Sequence, residues 1–111
     1  MTQTNLGLVY SDLPAGDRQA NLKRAIACYE AALEVRTREA FPVDWAATQY
    51  NLGIAYSDLP AGDRQANLKR AITCYEAALE VFHLTSMDYY LQVVSENLEV
   101  AKDELQNLAG A

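Results

Sequence analysis

Three asparagines at equal spacing are the residues of this chain best suited to hold a ligand. Asn5, Asn51 and Asn97 are separated from one another by steps of 46 positions. An asparagine amide offers two hydrogen-bond donors and one carbonyl acceptor, which together suit the backbone of an extended peptide. Equivalent asparagines can equally form bonds to neighbouring helices of their own chain. The spacing therefore raises two alternatives, a peptide-binding ladder or a set of internal hydrogen bonds.

Residue types used in catalysis and metal binding occur here without the partners that such chemistry needs. Glu30 and Glu34 lie four residues apart, as do Glu76 and Glu80, so each pair occupies one helix face. His83 is the only histidine of the chain. No glycine-rich loop follows a strand pattern, so a phosphate-binding turn is not indicated. We predict no catalytic residue, no metal site and no cofactor, and we interpret the glutamates as solvated surface.

Charge and cysteine usage restrict the class of partner and the compartment. The 111 residues carry a formal net charge of −6, whereas nucleic-acid binding favours a basic stripe. No apolar run approaches the roughly 18–20 residues that span a bilayer, and the N-terminus lacks a secretory signal pattern. Cys28 and Cys74 occupy equivalent positions of the two copies, which lie too far apart for a disulfide. We interpret them as small buried residues of a protein in a reducing compartment. We expect a cytoplasmic protein with no nucleic-acid partner and no membrane contact.

An internal repeat determines the architecture. Residues 2–35 recur at 48–81 with 30 of 34 aligned positions identical. A fixed period of this kind is typical of repeat proteins, in which each unit buries its apolar face against its neighbours. The period continues at 97–105, where asparagine, leucine, alanine and leucine stand 46 positions after their counterparts at 51–59.

Each repeat is predicted to form a helical hairpin, whose two helices we call first-type and second-type. Apolar residues recur at steps of three and four along both helices. Asp17 and Asp63 are the predicted N-caps of the second-type helices. Asp44 is the predicted N-cap of a first-type helix, with Pro42 marking the break just before it. The predicted helices span about 1–13, 17–38, 43–59, 63–82 and 86–109.

The last predicted helix is a first-type helix without a second-type partner. Glu99 stands where the two copies have Gly7 and Gly53, a position at which glycine would let the partner helix approach. Polar residues in place of packing residues are typical of a capping helix. Its apolar residues follow a heptad seam, part of which must cover the preceding hairpin: Leu91, Val94, Leu98, Ala101, Leu105 and Leu108.

The repeat resembles the tetratricopeptide repeat (TPR). The motif Asn-Leu-Gly-x-x-Tyr begins at Asn51 and the motif Ala-Ile-x-x-Tyr-x-x-Ala-Leu-Glu begins at Ala71, and both also occur in the first copy. The period is longer than the usual ~34 residues, a form similar to repeats of bacterial multi-repeat proteins and kinesin light chains. The resemblance implies an all-α, right-handed superhelical solenoid in one domain, 1–111. It comprises hairpins at about 1–40 and 41–84 and a C-terminal capping helix at about 85–111.

The resemblance also implies a function, because the first-type helices of this family line a groove that binds a peptide or a partner protein. Family members that clamp a C-terminal carboxylate use lysine or arginine beside such asparagines. The matching positions here are not basic, so a peptide with apolar or basic side chains fits better. We expect an interaction scaffold without catalysis. The matching groove residues are Thr4, Asn5, Leu8, Asp12, Tyr50, Asn51, Ile54, Asp58, Val93 and Asn97.

The two copies differ mainly on the first-type helix, which carries three of the four substitutions. Such a distribution is expected if the groove contacts an asymmetric ligand. Neutral drift on an open face explains it equally well.

Self-association is the alternative function. Tyr90, Val93 and Val100 lie off the heptad seam of the last helix and would leave an apolar flank exposed. An exposed flank of this kind tends to mark an interface. Paired end helices would make the chain a homo-oligomer, and it would then be a structural or engineered array with no natural ligand.

Overall fold

The computed structural model describes residues 17–59 and 63–110, which fold into helices and contain no strand. The all-α prediction is confirmed for this part of the chain, and the predicted bounds agree with the observed ones within three residues. The helix predicted at 1–13 lies outside the described residues. None of the observed helices is long and apolar enough to cross a membrane. They are α1 (Arg18–Val35), α2 (Pro42–Asp58), α3 (Arg64–Leu84) and α4 (Asp88–Gly110).

Aspartate side chains fix the starts of α1 and α3, as predicted. The Asp17 carboxylate accepts hydrogen bonds from the backbone N–H groups of Gln19 at 3.0 Å and Ala20 at 3.2 Å. The Asp63 carboxylate accepts one from the N–H of Ala66 at 3.0 Å. These bonds satisfy amides that have no partner within the helix, so the repeated aspartate sets the same helix start in both copies.

The start of α2 differs from the prediction that Asp44 is its N-cap. Phe41 is the N-cap, Pro42 is the first helical residue and Asp44 lies in the first turn. Proline suits this position because its fixed φ is already helical and its missing N–H is not needed there. The Asp44 carboxylate instead accepts a hydrogen bond from Arg36 at 3.0 Å. Asp44 therefore helps to close the connection between α1 and α2.

The helix α3 holds the main part of the core, because it packs against both α2 and α4. Leu68, Ala71, Ala78 and Phe82 of α3 have no exposed surface. A second cluster forms where α1 packs against α2, and Cys74 joins it from α3. Both cysteines are free thiols, Cys74 buried and Cys28 half-buried. The other residues of the second cluster are Leu22, Ala25, Tyr29, Leu52, Ala55 and Leu59.

Gly53 allows α2 to lie close to its hairpin partner α3. A Cβ atom at this position would lie 2.6 Å from Cε1 and 2.8 Å from Cδ1 of the Tyr75 ring. Tyr75 is only 2% exposed, so the ring has little room to move. The predicted role of the glycine is thereby confirmed at Gly53, while Gly7 lies outside the described residues. At the equivalent position of α4, Glu99 is exposed.

The helix α4 covers α3 with the predicted heptad seam. Val94, Leu98 and Ala101 are buried, and Leu91 and Leu105 pack half-buried against the same core. The seam ends before the last predicted position, because Leu108 is 45% exposed. Four positions of α4 that are equivalent to Ala46, Tyr50, Gly53 and Tyr56 of α2 carry exposed polar side chains. In the same order, these side chains are Gln92, Glu96, Glu99 and Lys102.

Candidate functional site

A hollow of about 290 Å³ lies between the first-type helices α2 and α4, with α3 beneath it. We call it the α2/α4 groove. The resemblance implied a binding groove along the first-type helices, and this hollow lies between two of them. The lining residues are Ile54, Ser57 and Asp58 from α2, Arg64 and Tyr75 from α3, and Asn97, Val100, Ala101 and Glu104 from α4.

A hydrogen bond connects the two walls of this groove. The Asn97 side-chain amide donates to the Tyr50 hydroxyl at 2.7 Å. The Tyr50 ring also lies 6.0 Å from the ring of Tyr75, tilted by 47°. Burial raises the pKa of Tyr50, and the hydrogen bond from Asn97 opposes that shift. Asn97 therefore forms the internal bond that the sequence left open as an alternative, and one of its amide protons is used in it.

The structure brings together some of the predicted binding residues and separates others. Ile54, Asp58 and Asn97 line the α2/α4 groove, and Tyr50 contacts it through Asn97. Asn51 is half-buried and forms no side-chain hydrogen bond with the described residues. Val93 is half-buried and does not line the groove. Four further predicted residues lie outside the described residues: Thr4, Asn5, Leu8 and Asp12.

The residues predicted for self-association share one face of α4 with Asn97. Tyr90, Val93, Asn97 and Val100 follow helical steps of three and four, which place them on the same side. Val100 is 58% exposed and lines the groove. Tyr90 is 39% exposed and stacks on Phe82 with ring centroids 5.0 Å apart. Of the three residues predicted for self-association, Val100 therefore also lines the α2/α4 groove, whereas Tyr90 and Val93 do not.

Arg64 is one of the groove residues that the sequence analysis missed, together with Ser57, Tyr75, Ala101 and Glu104. Its guanidinium lies 2.5 Å from the Glu104 carboxylate and donates to the backbone carbonyls of Ser57 and Leu59 at the end of α2. The groove positions considered in the sequence all lie on first-type helices, and none of them is basic. Arg64 instead reaches the groove from the start of α3. Because the guanidinium is already occupied, it is poorly placed to bind the C-terminal carboxylate of a peptide.

The same ion pair occurs one repeat earlier. Arg18 lies 3.5 Å from the Asp58 carboxylate, and these residues precede Arg64 and Glu104 by 46 positions. Each pair joins the start of a second-type helix to the end of the following first-type helix. Burial raises the pKa of Asp58, and Arg18 opposes the shift. The acidic residue at both equivalent positions was the sequence signal that could have revealed the pairs.

Comparisons with known proteins identify no relative of this chain. No protein-family model matches it, and neither a curated protein nor a solved structure matches it. The function is therefore inferred from the chemistry of the groove.

Alkaline pH is expected to destabilise the fold. Burial raises the pKa of Cys74 from 9.0 to about 11 and that of Tyr75 from 10.0 to about 12. The folded chain keeps these protons where the unfolded chain releases them, so the free energy of unfolding falls between pH 9 and about pH 12. Below pH 9 the contribution of these two protonated groups to the free energy of unfolding is fully present. Thermal denaturation across the range measures the fall, which Tyr75→Phe should reduce; an equal fall in that variant would contradict the role of Tyr75.

Proposed function

We propose that this chain is a protein–protein interaction scaffold that binds an extended peptide in the α2/α4 groove and catalyses no reaction. The observation that carries the proposal is the composition of the groove. Its hollow of about 290 Å³ combines the apolar side chains of Ile54 and Val100 with polar groups of Asn97, Asp58 and Glu104. Peptide sites need an apolar surface for an anchoring side chain and a few polar groups that fix its orientation.

The charge of the groove favours a peptide with lysine or arginine. The Asp58 and Glu104 side chains are each 47% exposed, so their carboxylates remain accessible beside their arginine partners. The net charge of −6 also attracts a cationic ligand at a distance. We therefore propose a ligand with an apolar residue against Ile54 and Val100 and a basic residue toward these carboxylates.

We further propose that the hairpins build a right-handed, TPR-like superhelix. The TPR-like motifs in the sequence support this assignment. The two ion pairs at Arg18 and Arg64, which recur with the 46-residue period, also support it. The free thiols of Cys28 and Cys74 are consistent with a reducing compartment, so we propose a cytoplasmic location.

Peptides selected from a displayed random library test the proposal, with affinities measured by fluorescence anisotropy. Val100→Lys places a cation in the groove at an exposed position, so it should weaken a basic peptide by about tenfold without unfolding the chain. The matched control is Gln106→Lys, which makes the same charge change at an exposed position of α4 outside the groove lining. Its affinity should stay within about twofold of wild type, since exposed charges contribute little at a distance. Equal affinities for the two variants, or no selected peptide, would contradict the proposal.

Homo-oligomerisation through the end helices is the second candidate. It is favoured by the exposed apolar side chains of α4, of which Tyr89 is 73% and Val100 58% exposed. Light scattering over a wide concentration range distinguishes the candidates. A constant mass of 12.3 kDa would exclude self-association. Larger species that Val100→Lys returns to monomers would identify this face of α4 as a subunit contact.

A further inference from the structure

A second groove runs between the second-type helices α1 and α3, across the surface of α2. It consists of two neighbouring hollows of about 370 and 310 Å³, both lined by Tyr56 and Arg70. Leu52 and Leu59 of α2 form its floor, and Ile26 of α1 adds an apolar wall. We call it the α1/α3 groove. It shares no lining residue with the α2/α4 groove.

Three cations line the α1/α3 groove without an ion-pair partner. Lys23, Lys69 and Arg70 have no carboxylate of the described residues within ion-pair distance. The Arg70 guanidinium lies instead over the Tyr56 ring, 5.7 Å from its centroid, and both lysines are exposed. Other arginines of the described chain do pair with carboxylates: Arg18, Arg36, Arg38 and Arg64.

The carboxylates that the structure places at this groove already have partners. Asp63 accepts the backbone N–H of Ala66 as the N-cap of α3. Glu30 accepts a hydrogen bond from the Tyr56 hydroxyl at 2.9 Å. Three of the described cations that lack an ion pair thus lie together beside apolar surface, in a chain with a net charge of −6.

We propose that the α1/α3 groove binds a linear acidic segment of a partner protein. Aspartate or glutamate side chains would pair with Lys23, Lys69 and Arg70, and an apolar side chain between them would lie on Ile26 and Tyr56. The Lys-Arg pair of α3 repeats that of α1 with the 46-residue period. Cations spread over two helices fit an extended segment better than a single compact anion. The opposite charge of the two grooves lets the chain hold two different segments at once.

The experiment uses the whole chain and a fluorescent peptide in which glutamates flank two leucines. Lys69→Glu removes one attraction and adds one repulsion, so it should weaken binding by about fivefold or more. Lys102→Glu makes the same charge change at an exposed position of α4 and serves as the control, with an expected loss within about twofold. Val100→Lys should leave this affinity unchanged. That result distinguishes this site from the α2/α4 groove, so either proposal can fail alone.

Two matched probes test the chemistry of the ligand. A peptide with lysines in place of the glutamates should not bind the α1/α3 groove, so Lys69→Glu should not weaken any binding that this peptide shows at the α2/α4 groove. A peptide with serines in place of the leucines should bind the α1/α3 groove more weakly. Three results would overturn the proposal. They are equal losses for Lys69→Glu and Lys102→Glu, binding of a single-stranded oligonucleotide as tight as that of the leucine peptide, and oligomers of the chain that Lys69→Glu dissociates. The last would mean that an acidic α4 of a second copy occupies the groove.

Discussion

Phe82→Ala is expected to lower the free energy of unfolding by about 3–5 kcal/mol. Phe82 has no exposed surface, and its ring stacks on Tyr90 with an interplanar angle of 17°. The side chain lies where α3 meets α4, so its removal leaves a cavity beneath the capping helix. Because α4 forms one wall of the α2/α4 groove, peptide binding should weaken together with stability.

Leu84→Ala is the matched control for this variant. Leu84 lies two residues further along α3 but is 71% exposed, so its truncation should change stability by no more than about 0.5 kcal/mol. Urea denaturation followed by circular dichroism measures both variants. If Phe82→Ala lost no more stability than Leu84→Ala, Phe82 would not hold α4 in place.

Gly53→Val is expected to lower the free energy of unfolding by about 2–3 kcal/mol. The Cβ atom alone would lie 2.6 Å from the Tyr75 ring, and valine adds two methyl groups. To make room, the ring would have to leave its contacts with the Tyr50 ring and the Ser57 hydroxyl, which lies 3.3 Å from the Tyr75 hydroxyl. The helix propensity gained by losing glycine, up to about 1 kcal/mol, only partly offsets this strain.

Glu99→Val is the control at the equivalent position of α4. Glu99 is exposed, so the same new side chain should change stability by no more than about 0.5 kcal/mol. Helix propensity rises when valine replaces glycine and falls when it replaces glutamate. A larger loss of stability in Gly53→Val than in Glu99→Val must therefore come from helix packing. Equal stabilities for Gly53→Val and wild type would mean that α2 and α3 tolerate a wider separation than the structure has.

The helices could be predicted from the sequence because their signals are local. Three-residue and four-residue steps of apolar side chains mark each helix, and the aspartates at 17 and 63 form bonds within their own first turn. The start of α2 was predicted less well, since both Pro42 and Asp44 are plausible at a helix start. In the structure Pro42 is the first helical residue, and Asp44 pairs with Arg36 on the other side of the connection instead of capping the helix.

The site was predicted only in part, because its remaining features depend on distances between helices. The resemblance to the tetratricopeptide repeat implied that Ile54, Asp58 and Asn97 share one surface. It did not reveal that Asn97 reaches Tyr50 across the groove, nor that Arg64 enters from α3. The α1/α3 groove was missed for the same reason, since the sequence does not tell which cations lack a carboxylate neighbour.

Mapping amide chemical shifts on the isotope-labelled chain, with a selected basic peptide added, tests most directly whether the α2/α4 groove binds a peptide. We expect the largest shift changes at Ile54, Asn97 and Val100, while the amide of Lys23 in α1 stays unchanged. Changes concentrated at Tyr56 and Lys69, or none at the α2/α4 groove despite saturating peptide, would contradict peptide binding in this groove.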